Sequence, residues 1–349
     1  MNPMPPRRRI IAFPNAGNIY TERLYQEVAA RGVEVVEGVW SFRWLLRNVR
    51  RGSMVHIHWP SFLYFEPSSR LRTSVRLGKL ALGLALIKQR GAAVIWTAHN
   101  LYPHEGGRGV LSHRLGRGIT LASADRVIVH GLSAAAVVER EFGVPHSRLR
   151  IGHHPHWIDS YPNTVTAAQA RALLQIDPDE YLYLHIGRCK PYKGLEALIE
   201  AFRQAPQPAR LLIAGSFSSA QYQEEIRALS RLAPNVQLVA RSIPDDELQV
   251  YLNAANCVVL PYRTILTSGT AMLALSFGRP VIAPDLGSMR DHVDADSGIL
   301  YDPEEPHALA RALRDIRTRV FDPDAIVAQA RRFTWSHMAD LLLDAHAPI

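Results

Sequence analysis

Short β-branched runs alternate with amphipathic stretches along nearly the whole chain, and this rhythm narrows the fold more than any other feature. Apolar runs of strand length, each followed by a helical stretch, are the pattern of a parallel sheet with crossover helices. "RRIIAF" is the first strand, followed by the loop "PNAGN" and the helix "IYTERLYQEVAARG". "VEVVEGV" and "MVHIHW" are further strands, a long helix runs near 69–90, and "AAVIWTAHN" and "DRVIVHG" complete a first sheet. Around 151–165, "IGHHPHWIDSYPNTV" is polar and aperiodic, and reads as a linker with "HHPH" as a hinge.

The rhythm then restarts. "YLYLHIG", "ARLLIAG", "NVQLVA", "CVVLPY" and "PVIAP" are strands, separated by helical stretches such as "KGLEALIEAFRQA", "SAQYQEEIRALSRL" and "DDELQVYLNAA". With 349 residues the chain is too long for one ordinary domain. The expectation is an α/β protein of two Rossmann-like, doubly wound domains facing a ligand cleft, residues 1–158 and 159–325. Residues 326–349, with "FTWSHMADLLLDAH", supply a C-terminal helix that could pack back on the first domain.

The net charge of +8 is unevenly spread. Residues 1–165 hold 22 Lys and Arg against 10 Asp and Glu, or +12; the remainder holds 18 against 22, or −4. A basic half beside a near-neutral one points to an anionic membrane surface or a phosphorylated substrate. No aromatic–basic interleaving or recognition motif supports nucleic acid. The two cysteines, Cys189 and Cys257, make no disulfide framework, and the basic start leads into a strand, so a reducing cytoplasm is expected. The helix over 69–91 has basic ends and an apolar middle too short to span a bilayer. It reads either as a buried crossover helix or as an interfacial one, with Arg70, Arg72, Arg76, Lys79, Lys88 and Arg90 meeting anionic headgroups.

Four stretches carry the chemistry. "GRCKPYKG" (187–194) joins a strand to a helix, and Arg188 and Lys193 flank a turn whose N–H groups and two cations suit a diphosphate. "TSGTAMLALSFGRPVIAP" (267–284) is a polar turn, a short helix and a buried strand. Thr267, Ser268, Gly269 and Thr270 make a helix start that also suits an anion, and the helix carries no carboxylate. "HIHWP" (56–60) and "TAHNLYPHE" (97–105) fall at strand ends, where an α/β fold gathers its functional groups. His56 alternates with His58, so one of the two is expected to face the core, satisfied by a hydrogen bond. His56, His58, His99 and His104 do not have a recognised ligand spacing, and the acidic triplets at 177–179, 294–296 and 322–324 lie in turns or caps, so no metal is expected.

Taken in order, "GRCKPYKG", "LLIAG", "PDDELQVYLNAA" and "GRPVIAPDLGSMRDHV…SGILYDP" make residues 183–320 resemble the nucleotide-sugar-binding half of family 4-type glycosyltransferases with the GT-B architecture. The resemblance implies that Arg188 and Lys193 bind the donor diphosphate and that the 267–270 turn sits on its phosphates. It further implies that Arg241 to Ile243 meets the base through its backbone, and that Tyr262 and His99 belong to the donor site. Family 4 enzymes usually carry two glutamates eight positions apart; the matching positions here are Ile265 and Leu273. "PNAGNIYTERLYQ", "HIHWP", "TAHNLYPHE" and the linker resemble family 94, the group containing the β-mannosyltransferase of xanthan assembly, with Ser61 where an acidic residue is expected after "HWP". Asn15, Gly17 and Asn18 are then the acceptor or cleft loop.

The resemblance implies inverting transfer of mannose from GDP-mannose to a polyprenyl-diphosphate-linked oligosaccharide in exopolysaccharide synthesis. It places the protein on the inner face of the cytoplasmic membrane, with no metal or other cofactor. Retaining family 4-type transfer from a UDP- or GDP-sugar stays open, as does a GT-B nucleotide-sugar epimerase. Inversion needs a general base in the first domain. Glu105 is the first candidate, because partial burial tunes a carboxylate upward, followed by His58 and His104, with Glu66 more distant.

Overall fold

Every apolar run read as a strand becomes one, and the strands assemble into two parallel six-stranded sheets in the computed structural model, which describes residues 9–101, 111–233 and 235–345. The first sheet contains Arg9–Phe13 (β1), Glu34–Glu37 (β2), Met54–Ile57 (β3), Ala93–Thr97 (β4), Arg126–His130 (β5) and Leu149–Gly152 (β6), in the order β2-β1-β3-β4-β5-β6. The second contains Tyr181–Ile186 (β7), Ala209–Ala214 (β8), Val236–Val239 (β9), Cys257–Val259 (β10), Val281–Pro284 (β11) and Gly298–Tyr301 (β12), in the order β12-β11-β10-β7-β8-β9. Central strands such as β3 and β5 are buried along their whole length, as parallel strands with helices on both faces must be. That is why they read as continuous apolar runs.

The chain divides into two compact units, residues 1–153 with 334–349, and residues 154–333. The sequence suggested 158/159, inside the stretch read as a linker. The chain instead forms β6 at 149–152, too short to be distinguished from a loop, and crosses over at once. The C-terminal segment is also shared: the helix Pro323–Arg331 belongs to the second unit and the helix Trp335–Asp344 to the first. The latter packs on the helix Ile19–Ala30. Arg31 holds it through Asp340 at 2.7 Å and Ser336 Oγ at 2.7 Å, and the Trp335 ring meets Tyr20.

Strand order fixes where each unit can present chemistry. In the first sheet the direction of winding reverses between β1 and β3; in the second it reverses between β7 and β10. At such a switch point the loops leaving the carboxyl ends of two neighbouring strands diverge to opposite faces and leave a crevice. The loops in question are 14–18 and 58–60 in the first unit, and 187–194 and 260–268 in the second. These are the segments that carry most of the candidate residues.

Candidate active site

In the second unit the two switch-point loops are locked together by backbone. Arg263 N–H donates to Tyr192 O at 2.8 Å. Gly194 has φ +70°, and a Cβ there would stand 2.2 Å from Pro261 O. Only glycine combines that left-handed conformation with so close an approach. Gly194→Ala should therefore destabilise the protein by about 3 kcal/mol, from the left-handed backbone and the displaced loop together. Thermal unfolding would read this as a clear fall in Tm; an unchanged Tm would mean that the loops are not joined in this way.

Lys193, just before that glycine, is 7% exposed. Its ammonium donates to the Tyr262 hydroxyl at 2.9 Å and lies over the Tyr262 ring, 4.2 Å from its centroid. It makes no ion pair among the described residues. Burial works against its charge, but Tyr262 and Tyr192 more than offset this, so its pKa lies above the ordinary lysine value and it is a cation at neutral pH. His185, on β7, is fully buried, and its pKa is pushed down to about 3 by burial and then by Lys193, so it is neutral.

Tyr262 carries the connection onward. Its hydroxyl is 3.0 Å from Ser268 Oγ, and Ser268 caps the helix Gly269–Ser276 by accepting from Ala271 N–H at 3.1 Å. Thr267 Oγ1 accepts from Ser288 at 3.2 Å, and the 187 turn comes alongside, since a Cβ on Gly187 would lie 3.7 Å from Thr270 Oγ1. Lys193, Tyr262, Thr267, Ser268, Gly269 and Thr270 thus stand together at one helix N-terminus, an arrangement that favours an anion. Arg188 is exposed at the rim of the same loop. Arg241 follows the carboxyl end of β9, exposed and paired with Glu247 and Tyr251, with Ile243 half-buried two residues on. Ile265 and Leu273 are half-buried, so the two positions matching the family's glutamates offer no carboxylate.

The linker motif is absorbed here. Trp157 Nε1 donates to Gly269 O at 2.9 Å and Trp157 N–H to Ser276 Oγ at 2.8 Å, while His154 is buried against Gly269. "HHPHW" therefore supports the helix that presents the anion site, a role that its sequence gave no sign of.

In the first unit the switch-point loops carry a buried chain of hydrogen bonds. Tyr25 OH lies 2.8 Å from His56 Nδ1 and 2.9 Å from His58 Nε2. His56 Nε2 is 2.8 Å from Thr97 Oγ1, and His58 Nδ1 is 2.9 Å from His99 Nε2. The expectation that His56 and His58 diverge is corrected: residues two apart share a strand face, and both meet the same hydroxyl. Burial lowers the His56 pKa to about 3 and His58 well below its usual range, so both are neutral. His58 has both ring nitrogens engaged and is 1% exposed, which leaves it no nitrogen for a substrate proton. His99 is 7% exposed and stacked on Trp59 at 4.6 Å. Tyr25, Tyr20 and Thr97 were missed in the sequence because aromatic and hydroxyl residues on helices and strands read as core.

The loop after β1 places Asn15 half-buried and Gly17 exposed at φ +82°, its N–H donating to Glu22. Asn18 caps the helix Ile19–Ala30 by accepting from Tyr20 N–H at 2.9 Å. Glu66 is tied to Arg76 at 3.1 Å and to Ser68. Glu105 and His104 lie outside the described residues. Among the described residues no group of three or more His, Cys, Asp or Glu side chains could hold a metal ion.

Two parallel doubly wound sheets, with a cationic anion site at the second switch point, have the GT-B architecture, and residues 180–318 match the family model described as glycosyl transferases group 1. The chain is 28% identical, over 76% of its length and 71% of the relative's, to a GDP-mannose:glycolipid 4-beta-D-mannosyltransferase from Xanthomonas campestris pv. campestris. It is 26% identical, over 75% of its length and 68% of the relative's, to D-inositol 3-phosphate glycosyltransferase 1 from Catenulispora acidiphila. Among solved structures, sucrose-phosphate synthase from Thermosynechococcus elongatus has the same fold, with TM-score 0.71, 21% identity and coverage of 97% of this chain and 98% of that one. The Anabaena protein HepE, solved with UDP, gives 0.70 at 13% identity, covering 97% and 99%.

Proposed function

We propose that this glycosyltransferase moves mannose from GDP-mannose, with inversion, onto a polyprenyl-diphosphate-linked oligosaccharide during exopolysaccharide assembly at the inner face of the cytoplasmic membrane. The observation that carries the reading is Lys193, a buried ammonium lacking a carboxylate partner and joined through Tyr262 to the N-cap of a helix without acidic residues. Such a cation awaits an anion. A donor diphosphate satisfies it, and the same groups stabilise the charge that develops as the diphosphate departs, so no metal is needed. The Xanthomonas relative supports the choice of mannose and of a glycolipid acceptor. The absence of carboxylates at 265 and 273 supports inversion, because the pair usual in family 4 is missing.

The test is incubation with GDP-mannose and a lipid-linked oligosaccharide extract, with and without a chelator, followed by determination of the product's anomeric configuration. A β-linked product, formed equally well with chelator, is expected. An α-linked product from the α-linked donor overturns inversion and identifies retaining transfer from a UDP- or GDP-sugar.

A further inference from the structure

Eight of the thirteen large apolar side chains exposed among the described residues lie on four neighbouring helices of the first unit: Phe42–Asn48, Ser61–Tyr64, Arg70–Gln89 and Leu111–Ser123. The third of these touches the other three. Topology makes the longer ones a single layer. The steps β2 to β3, β3 to β4, β4 to β5 and β5 to β6 all run in one direction across the sheet, so right-handed crossovers put their helices, Leu132–Phe142 at the far edge included, on one face. The helix Ile19–Ala30 follows the opposite step, lies on the other face, and is covered there by Trp335–Asp344. The four-helix face has no such cover among the described residues.

On Arg70–Gln89 the outward stripe runs through positions 71, 75, 78, 82 and 85, which are Leu, Val, Gly, Leu and Ala, all exposed. A helix that faces water alone places its charges along that stripe. Leu71 is 76% exposed, Leu82 62%, and Phe62 on the adjoining short helix 74%. Leu111 and Leu115, one turn apart, continue the pattern on the next helix.

The charge on these four helices has one sign. None of the four helices contains Asp or Glu, whereas Ile19–Ala30 on the other face carries two and Leu132–Phe142, at the far edge of this face, carries Glu139 and Glu141. Arg43, Arg47, Arg70, Arg72, Lys79 and Arg114 are exposed on it. Three bases expected at a membrane surface are instead turned to the protein: Arg76 to Glu66, Lys88 to Asp125 at 2.5 Å, and Arg90 to Val49 O at 2.7 Å.

We infer that this four-helix layer is an insertion surface for an anionic phospholipid bilayer, with Phe62, Leu71 and Leu82 entering the acyl boundary while the exposed bases meet phosphate headgroups. An apolar stripe flanked by bases fits that boundary. A second copy of the chain would set the same positive charges against themselves, which disfavours self-association through this face. No helix among the described residues is long and apolar enough to cross a membrane, so the mode is lying on the bilayer. Attachment therefore has two components, a salt-sensitive one from the bases and a salt-resistant one from the inserted side chains.

The two native cysteines are buried, so an environment-sensitive dye on Leu82→Cys reports on this face alone. With vesicles of phosphatidylcholine containing about a third phosphatidylglycerol, its emission should shift to the blue and be quenched by lipids brominated on the acyl chain. A dye on Leu173→Cys, exposed on the second unit, should not respond. Replacing Phe62, Leu71 and Leu82 by Ser should remove the binding that survives high salt. Changing Arg43, Arg70, Arg72 and Lys79 to Gln should weaken low-salt binding by up to about a thousandfold, at about 1 kcal/mol per base. A Leu82 dye that stays in water while the protein co-sediments would overturn insertion, and failure to bind anionic vesicles would overturn the surface altogether. Dimerisation that the serine variants abolish, without vesicle binding, would assign the face to a second copy instead. Nucleotide affinity should be unchanged in every variant, so this outcome is separable from the fate of the donor-site reading.

Discussion

Lys193→Met should cost at least tenfold in affinity for GDP or UDP and about a hundredfold in kcat/KM, while the protein without nucleotide loses little stability. The two halves of this expectation have one cause. The ammonium has no counter-charge in the apo protein, where the Tyr262 hydroxyl and ring face and the nearby Tyr192 offset its burial and hold it charged. Methionine preserves the length and most of the packing but gives up the hydrogen bond and the ring contact, so Tm in the apo state should fall only slightly. With a diphosphate bound the loss is larger, because the ammonium then has the anion it lacks. Ground-state binding loses part of the interaction; the transition state, with more charge on the leaving diphosphate, loses more. Calorimetric titration with both nucleotides, set beside thermal unfolding, reads the two halves independently. Unchanged affinity would mean that the phosphates are held elsewhere, while a large fall in apo Tm would mean that Lys193 is structural.

The same residue shows what was legible in the sequence. The order of strands and helices was readable for ten of the twelve strands, because buried parallel strands must be apolar on both faces and so stand out as runs. "GRCKPYKG" and the 267–270 turn were readable as an anion site, since a cation and small polar residues after a strand have few other uses. What could not be read was the tie between them. Tyr262 joins Lys193 to Ser268 across six residues and a change of direction, and a lone tyrosine at a strand end has no periodicity to betray it. The histidines were harder still. Their spacing marked them as unusual, yet their protonation and orientation depend on Tyr25, which comes from a helix far away in sequence and reads as an ordinary core aromatic. The strand β6 failed for a different reason: "LRIG" is too short, and too close to the polar "HHPH", for a run to register.

Glu105→Gln should lower transfer about a thousandfold and leave nucleotide affinity near wild type. Other groups of the first unit that could take a proton are already engaged. Inversion needs a proton acceptor near the acceptor hydroxyl. His58 has no nitrogen to spare, and its buried, neutral ring is held between Tyr25 and His99, so its removal should disturb the position of His99 instead of deleting a base. Glu66 is committed to Arg76 and Ser68, which hold its carboxyl below the usual range and make it a weaker base. Ser61 starts a short helix and cannot take a proton unaided. Glu105 and His104 remain, and their substitutions separate them through pH. Glutamine at 105 keeps the size and hydrogen-bonding reach of glutamate but cannot ionise, so the residual rate should no longer fall on the acid side. His104→Gln should leave that limb in place if Glu105 is the base. Transfer by Glu105→Gln within tenfold of wild type, or loss of the acid limb only in His104→Gln, would move the assignment to His104.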